Sequence, residues 1–389
     1  MLHLLSVIAW IVIGLLACIE GYYYLLLLVL LFTWRRTVSP GQGRSRFTIL
    51  IPAHDEELLL GRTLASVLDL DYPRDRFRVV VIADNCTDRT AEIARAAGAE
   101  CWERQDEQAR GKGEALEWAF RRIDEPDDHA VVVLDADTIT GRNLLQVFDA
   151  YLDSGSEAIQ AANLVERTQD NLFTTFMALG NLITNYYVYL PKFRMGSTAF
   201  LLGTGMCFRL RQVETYFQEQ YSISEDIDYS LRLINNGVRI AFAAETYVET
   251  VHPDEIRAAS TQRVRWSSGT YGLLWRNAWA CLKRGIRLGS LLYLDTAATL
   301  LTWSKALIGL LFGLALPVCL LAGPRFIALA LLLFFGYVFY LSLGVILLHR
   351  RKHRYLHLLL APVLVPWLIV IAVLGLLGYR KREWTRTKR

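Results

Sequence analysis

The sequence predicts an α/β domain built on a parallel, doubly wound sheet and set between membrane-spanning helices. Three observations predict it. Short β-branched runs alternate with helical stretches between Phe47 and Leu134, the rhythm of βαβ units. Those runs stop at acids: Asp55, Asp84, and then Asp135 with Asp137. The two ends of the 389-residue chain are nearly continuous hydrocarbon, whereas the middle carries most of the acids and turn residues.

The stretch Val131 to Asp137 (Val-Val-Val-Leu-Asp-Ala-Asp) organises the rest. Its apolar part is too short for a helix and fits a strand buried on both faces. Open α/β sheets bind ligands in the crevice beyond the carboxyl ends of their strands. Asp135 and Asp137 therefore belong at the rim of a site, where carboxylates spaced i and i+2 can address a hard cation and the diphosphate it carries. A solvated acidic turn is the plainer alternative for the tripeptide alone.

Composition narrows the class. The net charge is only +4, which does not argue for nucleic acid, and the basic residues cluster beside the apolar spans. The six cysteines form no Cys-x-x-Cys pair and no zinc-like spacing. They read as reduced thiols of a domain facing the cytosol.

Leu2 to Trp34 is apolar apart from His3 and Glu20. That exceeds the roughly 20 residues a crossing needs and is too long for a signal-peptide core. One tilted helix is expected over 1–36. Arg35 and Arg36 place residue 37 onward in the cytosol by the positive-inside rule. Glu20 is costly in lipid and is expected to face other helices. Residues 37 to 45 read as a linker.

Within a cytosolic domain over 37–285, strands are expected at Phe47–Ile51 (ended by Pro52), Arg78–Ala83, Glu100–Glu103, Ala130–Leu134 and Ile240–Tyr247. Helices are expected at about 58–68, 89–97, 113–122 and 225–235, and most of 141–200 reads as helical. Aromatics in that last stretch, such as Tyr187 and Tyr189, read as core. Leu201 to Met206 reads as an apolar strand broken by glycines, where close backbone approach is expected. Three acidic strand exits in register along one sheet edge converge on a crevice with room for a base, a ribose and a diphosphate. No Gly-x-Gly-x-x-Gly follows the first strand, which weakens a dinucleotide reading. Arg110 and Lys112 can meet phosphate from a loop; a solvated basic turn is equally compatible with the spacing. Ser224-Glu225-Asp226 opens a helix, for which an ordinary cap is the bland account. Gln262-Arg263-Val264-Arg265-Trp266 sits in an amphipathic segment. It is either an interfacial helix or a site in which arginine meets a diphosphate and tryptophan a sugar face.

With these motifs in order, the chain resembles the family 2 membrane glycosyltransferases, the group with cellulose, hyaluronan and poly-N-acetylglucosamine synthases. The elements are the acidic turn at Asp84, Asp135-Ala136-Asp137, Glu225-Asp226 and Gln262-x-x-Arg265-Trp266, from about Phe47 to Trp266. The resemblance implies a GT-A fold and inverting transfer from a nucleotide-diphosphate sugar, UDP-linked by expectation. It implies that Asp84 contacts the nucleotide, with Asp55, Glu56 and Lys112 also on the donor side. It implies that Asp137 and Asp135 bind Mg²⁺ or Mn²⁺ and the diphosphate, and that Asp226 is the general base. Gln262, Arg265 and Trp266 are expected to close over the diphosphate and acceptor, and Gly203, Thr204 and Glu225 to lie near the acceptor. His252 is more readily a loop histidine than a further ligand.

After the catalytic domain, 286–389 is expected to form a membrane region with a basic tail. Residues 285 to 303 are expected along the interface, with crossings at Ala306–Leu321 and Phe326–Leu348. Leu356 to Tyr379 contains Pro362 and Pro366 and ends in Arg-Lys-Arg. A simple crossing there opposes the charge rule, so either the segment is a kinked hairpin that returns to the cytosol, the reading favoured slightly, or it crosses once and the rule fails here. Three apolar segments after the domain are few for a translocation channel, which favours a lipid or lipid-linked acceptor over a processive, extruding synthase. An inactive membrane scaffold is disfavoured because every acidic position and Gln-x-x-Arg-Trp are present.

Overall fold

The computed structural model describes residues 2–33, 41–126, 129–166, 172–216, 225–251, 256–347 and 361–378. The chain divides into two compact units: Arg35–Gln169 with Gly196–His252, and Met1–Trp34 with Asp170–Met195 and Pro253–Arg389. The helices over 172–194 thus cluster with the apolar helices and not with the sheet that precedes them in sequence.

The first unit is organised around one eight-stranded sheet. Its strands are β1 (Phe47–Ala53), β2 (Phe77–Asp84), β3 (Glu100–Arg104), β4 (Ala130–Val133), β5 (Thr138–Thr140), β6 (Ala158–Val165), β7 (Met206–Arg209) and β8 (Ile240–Thr250). Their spatial order is β3-β2-β1-β4-β7-β6-β8-β5. The first four are mutually parallel, as the βαβ rhythm predicts. The all-parallel expectation fails beyond them, because β7 runs antiparallel to both β4 and β6, and β5 runs antiparallel to β8. The sheet is mixed.

Ala130 to Val133 are fully buried, so β4 is the central strand its β-branched run implies. Pro52 does not end β1; it pairs in register with Ile82. The Leu50 carbonyl accepts from Leu134 N at 3.0 Å, so this side of β1 faces β4. Pairing with β4 stops at Leu50, and Pro52, two residues on, lacks its N–H where no strand waits for it.

Helices cover the parallel half. In α2 (Leu60–Leu68) the buried positions Leu60, Thr63, Leu64 and Val67 form one stripe. Next come α3 (Thr90–Ala96) and α4 (Lys112–Phe120), then α5 (Leu144–Asp153), α8 (Leu210–Tyr216) and α9 (Glu225–Asn235), with α6 (Leu172–Leu182) and α7 (Leu190–Arg194) falling in the other unit. The expected strand over 201–206 is a turn instead: β7 starts at Met206, and Gly203 and Gly205 adopt φ of +82° and +65°.

The helical unit contains α1 (Leu2–Thr33), α6 (Leu172–Leu182), π-type turns over Ile183–Tyr189, α7 (Leu190–Arg194), α10 (Ile256–Leu288), α11 (Leu291–Leu301), α12 (Lys305–Ala322), α13 (Pro324–Leu347) and α14 (Ala361–Leu376). Among the described residues, three helices are long and apolar enough to cross a membrane: His3–Thr33, Lys305–Ala322 and Pro324–Ile346. The hairpin expected near the carboxyl end is not seen, since 361–376 is one helix with Pro366 inside it. Residues 348–360 and 379–389 lie outside the described residues.

Tyrosines 22 to 24 interrupt the aliphatic run of α1 because each hydroxyl has a partner. Tyr23 donates to Thr302 O at 2.9 Å and Tyr24 to Gly336 O at 2.9 Å. Tyr22 donates to Asp295 Oδ1 at 2.8 Å. Asp295 also pairs with Lys192 at 3.1 Å, and both side chains are essentially inaccessible. Glu20 packs against α13 at Gly336, where a Cβ would strike its carboxylate.

Candidate active site

The parallel strands deliver their exits to one edge. Asp55 and Asn85, just past β1 and β2, both hold positive φ, at 52° and 51°. Asp and Asn are the non-glycine residues that best tolerate this region. The Asp55 carboxylate accepts from Thr87 N at 2.7 Å and Asp88 N at 3.3 Å, tying the two loops together. Glu56 donates its N–H to Thr90 Oγ1 at 2.8 Å, and its carbonyl starts α2 by accepting from Leu60 N.

Asp84 is buried at the end of β2 and meets Arg104, at the end of neighbouring β3, at 2.6 Å. Arg104 and Asn85 both donate to Asp84 Oδ1, and no described residue reaches Oδ2. The Arg104 Nε is buried without an acceptor. Arg104 was not recognised in sequence, although its position opposite Asp84 in the strand register is a signal that could have found it.

The loop after β4 is fixed from several sides. Leu134 N bonds β1, and Thr63 Oγ1 of α2 donates to Ala136 O at 2.7 Å. Asp135 N donates to Thr204 Oγ1 at 3.0 Å, which also meets Thr138 Oγ1. Asp137 is buried and Asp135 about one-third exposed.

Across from this loop lies the Gly203 turn. Gln160, buried in β6, donates to Thr204 O at 2.9 Å and accepts from Leu202 N at 2.8 Å. Ser230 of α9 accepts from Leu201 N at 2.8 Å. Gln160 is a second residue missed in sequence. Its signal was a lone amide in the apolar run Ala158-Ile159-Gln160-Ala161-Ala162. A Cβ on Gly205 would lie 2.8 Å from Val248, so only glycine fits there.

Lys112, the first residue of α4, joins the two loops. Its ammonium meets Asp135 Oδ1 at 2.5 Å and Gly203 O at 2.5 Å. Burial alone would lower the Lys112 pKa, but Asp135, Glu225 and Asp226 hold it above the usual lysine range. Asp226, in the first turn of α9, is pushed up to about 7 by burial and then by the Glu225 carboxylate. The Ile227 N–H, which Asp226 accepts at 2.8 Å, and Lys112 oppose that shift. A Cβ on Gly203 would stand 3.7 Å from both Asp226 Oδ2 and Lys112 Nζ.

The structure therefore brings together Lys112, Asp135, Gly203, Thr204 and Asp226. It puts Asp55, Glu56 and Asp84 on the adjacent strand exits. Gln262, Arg265 and Trp266 fall in α10, with side chains outside the described residues, as are Ser224 and His252.

The donor set suits a divalent cation. Carboxylates 135, 226 and 225 all act on one ammonium, so the cluster keeps excess negative charge. Mg²⁺ is commonly held by one or two carboxylates plus substrate phosphates, and Asp135 with Asp137 fits that need. Among the described residues the one three-ligand grouping is Asp55, Cys86 and Asp88. Asp55 is already engaged there by backbone donors.

A mixed α/β sheet with this crevice at the exits of its parallel half is a GT-A-like fold. Residues 44–269, more than half of the chain, match the family described as Glycosyltransferase like family 2, and the chain belongs to that family. It is similar to a probable glycosyltransferase, YdaM, of Bacillus subtilis, at 25% identity over 58% of this chain and 55% of the relative. It is similar to a beta-monoglucosyldiacylglycerol synthase of Synechocystis, at 26% over 60% and 50%. It is also similar to the cellulose synthase 1 catalytic subunit of Komagataeibacter xylinus, at 27% over 64% and 34%. The chain thus spans about half, or less, of the length of these relatives. Among solved structures, a mannosyltransferase of Pyrobaculum calidifontis, in complex with GDP-Man and Mn²⁺, shares the fold. Its TM-score is 0.61 at 18% identity, over 97% of this chain and 100% of that one.

Proposed function

We propose that this protein is a membrane-bound inverting glycosyltransferase that moves a sugar from a nucleotide-diphosphate sugar to a lipid or lipid-linked acceptor. The observation that carries the reading is the Asp135–Lys112–Gly203 junction with Asp226 beside it. It sets a phosphate-binding ammonium and an acid that titrates near neutrality around one crevice. Inversion needs one base opposite one leaving group, and a base works best with a pKa near the operating pH.

In this reading Asp84 Oδ2 and the orphaned Arg104 Nε meet the nucleotide, and Asp55 and Glu56 complete the donor side. Asp135 and Asp137 would hold Mg²⁺ or Mn²⁺, which would supply charge to offset that on the departing diphosphate. Lys112 shifts from Asp135 to the diphosphate. Asp226 takes the proton from the acceptor hydroxyl as that oxygen bonds to the anomeric carbon and the bond to the diphosphate breaks. Glu225, Gly203 and Thr204 line the acceptor side. By the family resemblance, Gln262, Arg265 and Trp266 are assigned to the diphosphate and acceptor. The sheet domain faces the cytosol, between a membrane helix over 1–36 and a membrane region over 286–389.

Three long apolar helices and the likeness to a glucosyldiacylglycerol synthase support a lipid acceptor. The likeness to a cellulose synthase subunit favours a second reading, processive polymer synthesis. Purified full-length protein in lipid, given Mn²⁺ and a panel of radiolabelled nucleotide sugars, separates them. Label in a small, lipid-extractable product supports the lipid transferase. Label in long, glycosidase-sensitive polymer supports the synthase. No transfer and no nucleotide binding would leave the membrane-scaffold reading in front.

A further inference from the structure

From 256 to 294 the sequence carries seven Lys or Arg and not one Asp or Glu. Most of that stretch is α10, whose second half shows three distinct stripes. Leu274, Ala278, Cys281 and Gly285 are buried and form the packed face. At about 100° per residue, Trp275, Trp279 and Ile286 fall on one line roughly a quarter turn away. All three are exposed, Trp275 at 54% and Trp279 at 53%. Arg276, Lys283 and Arg287 fall about a further quarter turn round, opposite the packed face. They are exposed and make no ion pair among the described residues. Arg284 lies elsewhere, stacked over the Tyr293 ring at 4.4 Å.

We infer that this face of α10 binds the phosphate headgroups of anionic lipids at the bilayer surface. The unit that carries α10 also carries the three helices able to span a membrane, so a lipid surface is at hand. Tryptophan is enriched at the level of the headgroups. A helix with an aromatic, apolar flank and a cationic flank lies in that plane, its cations drawn to anionic lipid. The absence of acids makes the charge complementarity one-sided, and a zwitterionic headgroup does not answer it. The inference stands independently of the transfer reaction, because none of the six residues belongs to the candidate active site.

The test uses the full chain purified from bilayers of equal phosphatidylglycerol and phosphatidylcholine, with retained lipids counted by native mass spectrometry. Phosphatidylglycerol is expected to be enriched severalfold over the bulk ratio. In the triple variant Arg276→Gln, Lys283→Gln, Arg287→Gln the ratio is expected to fall to the bulk value. The charge-preserving triple Arg276→Lys, Lys283→Arg, Arg287→Lys keeps the enrichment, which separates charge from a folding defect. Brominated phosphatidylglycerol is expected to quench tryptophan emission more than brominated phosphatidylcholine does, and Trp275→Phe with Trp279→Phe to remove the difference. Equal retention of the two lipids by the unmodified chain, or unchanged enrichment in the glutamine triple variant, would overturn the inference.

Discussion

At Asp226, burial and the adjacent Glu225 carboxylate oppose ionisation, whereas the Ile227 N–H and the Lys112 ammonium favour it, and the balance falls at about 7. A base must be deprotonated, so kcat/KM is expected to rise with pH below about 7, with a log slope of about one, and to level above it. A pH profile without that limb would remove Asp226 as the base. The same shift has a consequence for stability. The folded state binds this proton more tightly than the unfolded state, so stability is fullest below the unfolded value of 3.8 and is lost as pH rises through about 7. Asp226→Asn is therefore expected to cost at least about a hundredfold in kcat. It should leave nucleotide binding intact and raise the melting temperature at pH 8 relative to pH 5. Asp137→Ala belongs at the same scale. Isothermal titration should show Mn²⁺-dependent donor affinity weakened at least about tenfold, with metal-independent nucleotide affinity kept. Asp135 and Asp137 were legible in sequence because they end an apolar run, and Glu225 and Asp226 because they open a helix. Arg104 and Gln160 were not, since a cation in a polar strand or an amide in an apolar one names no partner until the strands are paired.

Element by element, what the sequence disclosed follows the strength of the local pattern. The strands β1, β2 and β4 carry β-branched runs and α2 a clear apolar stripe, and the exits of these parallel strands fall on one edge as expected. The strand β5 has three residues, too few for a pattern, and β6 was hidden in a stretch read as helical because Gln160 and Asn163 break its alternation. At 201–206 the apolar residues looked like a strand, but positive φ at Gly203 and Gly205 makes a turn, held in place by Gln160 and Thr204. The two glycines are expected to fail differently. Gly205→Ala drives a methyl into Val248, a clash of about 1–3 kcal/mol visible in a thermal melt. Gly203→Ala meets no clash, only backbone strain of about 1 kcal/mol, and folds. Its methyl stands between Asp226 and Lys112, so transfer should fall far more than stability. Equal losses in both assays for both variants would mean that the turn serves the fold alone.

For the whole molecule, the sequence order of segments was a poor guide to which of them pack together. The helical run over 172–194 sits between two strands of the sheet unit in sequence, yet clusters with the apolar helices. Its polar side chains give the reason. Lys192 is fully buried, paired with Asp295 at 3.1 Å and donating to Thr299 at 2.5 Å, while Tyr22 of α1 donates to the same aspartate. Lys192 and Asp295 lie over 100 positions apart, so neither announces the other in sequence. The effect of this network is to pin α7, α1 and α11 in one arrangement. Removing one partner of a buried pair leaves an uncompensated charge, a loss of about 3–5 kcal/mol, whereas replacing both with apolar residues of similar volume is often nearly neutral. Asp295→Leu alone is therefore expected to lower the melting temperature of the full chain in lipid sharply, and Lys192→Met added to it to recover most of the loss. If the double variant melts no higher than the single one, the pair does more than cancel its own charge. The hydroxyl of Tyr22, which donates to the Asp295 carboxylate, then depends on Asp295 for its own satisfaction, and the network, not the ion pair, fixes how the helices meet.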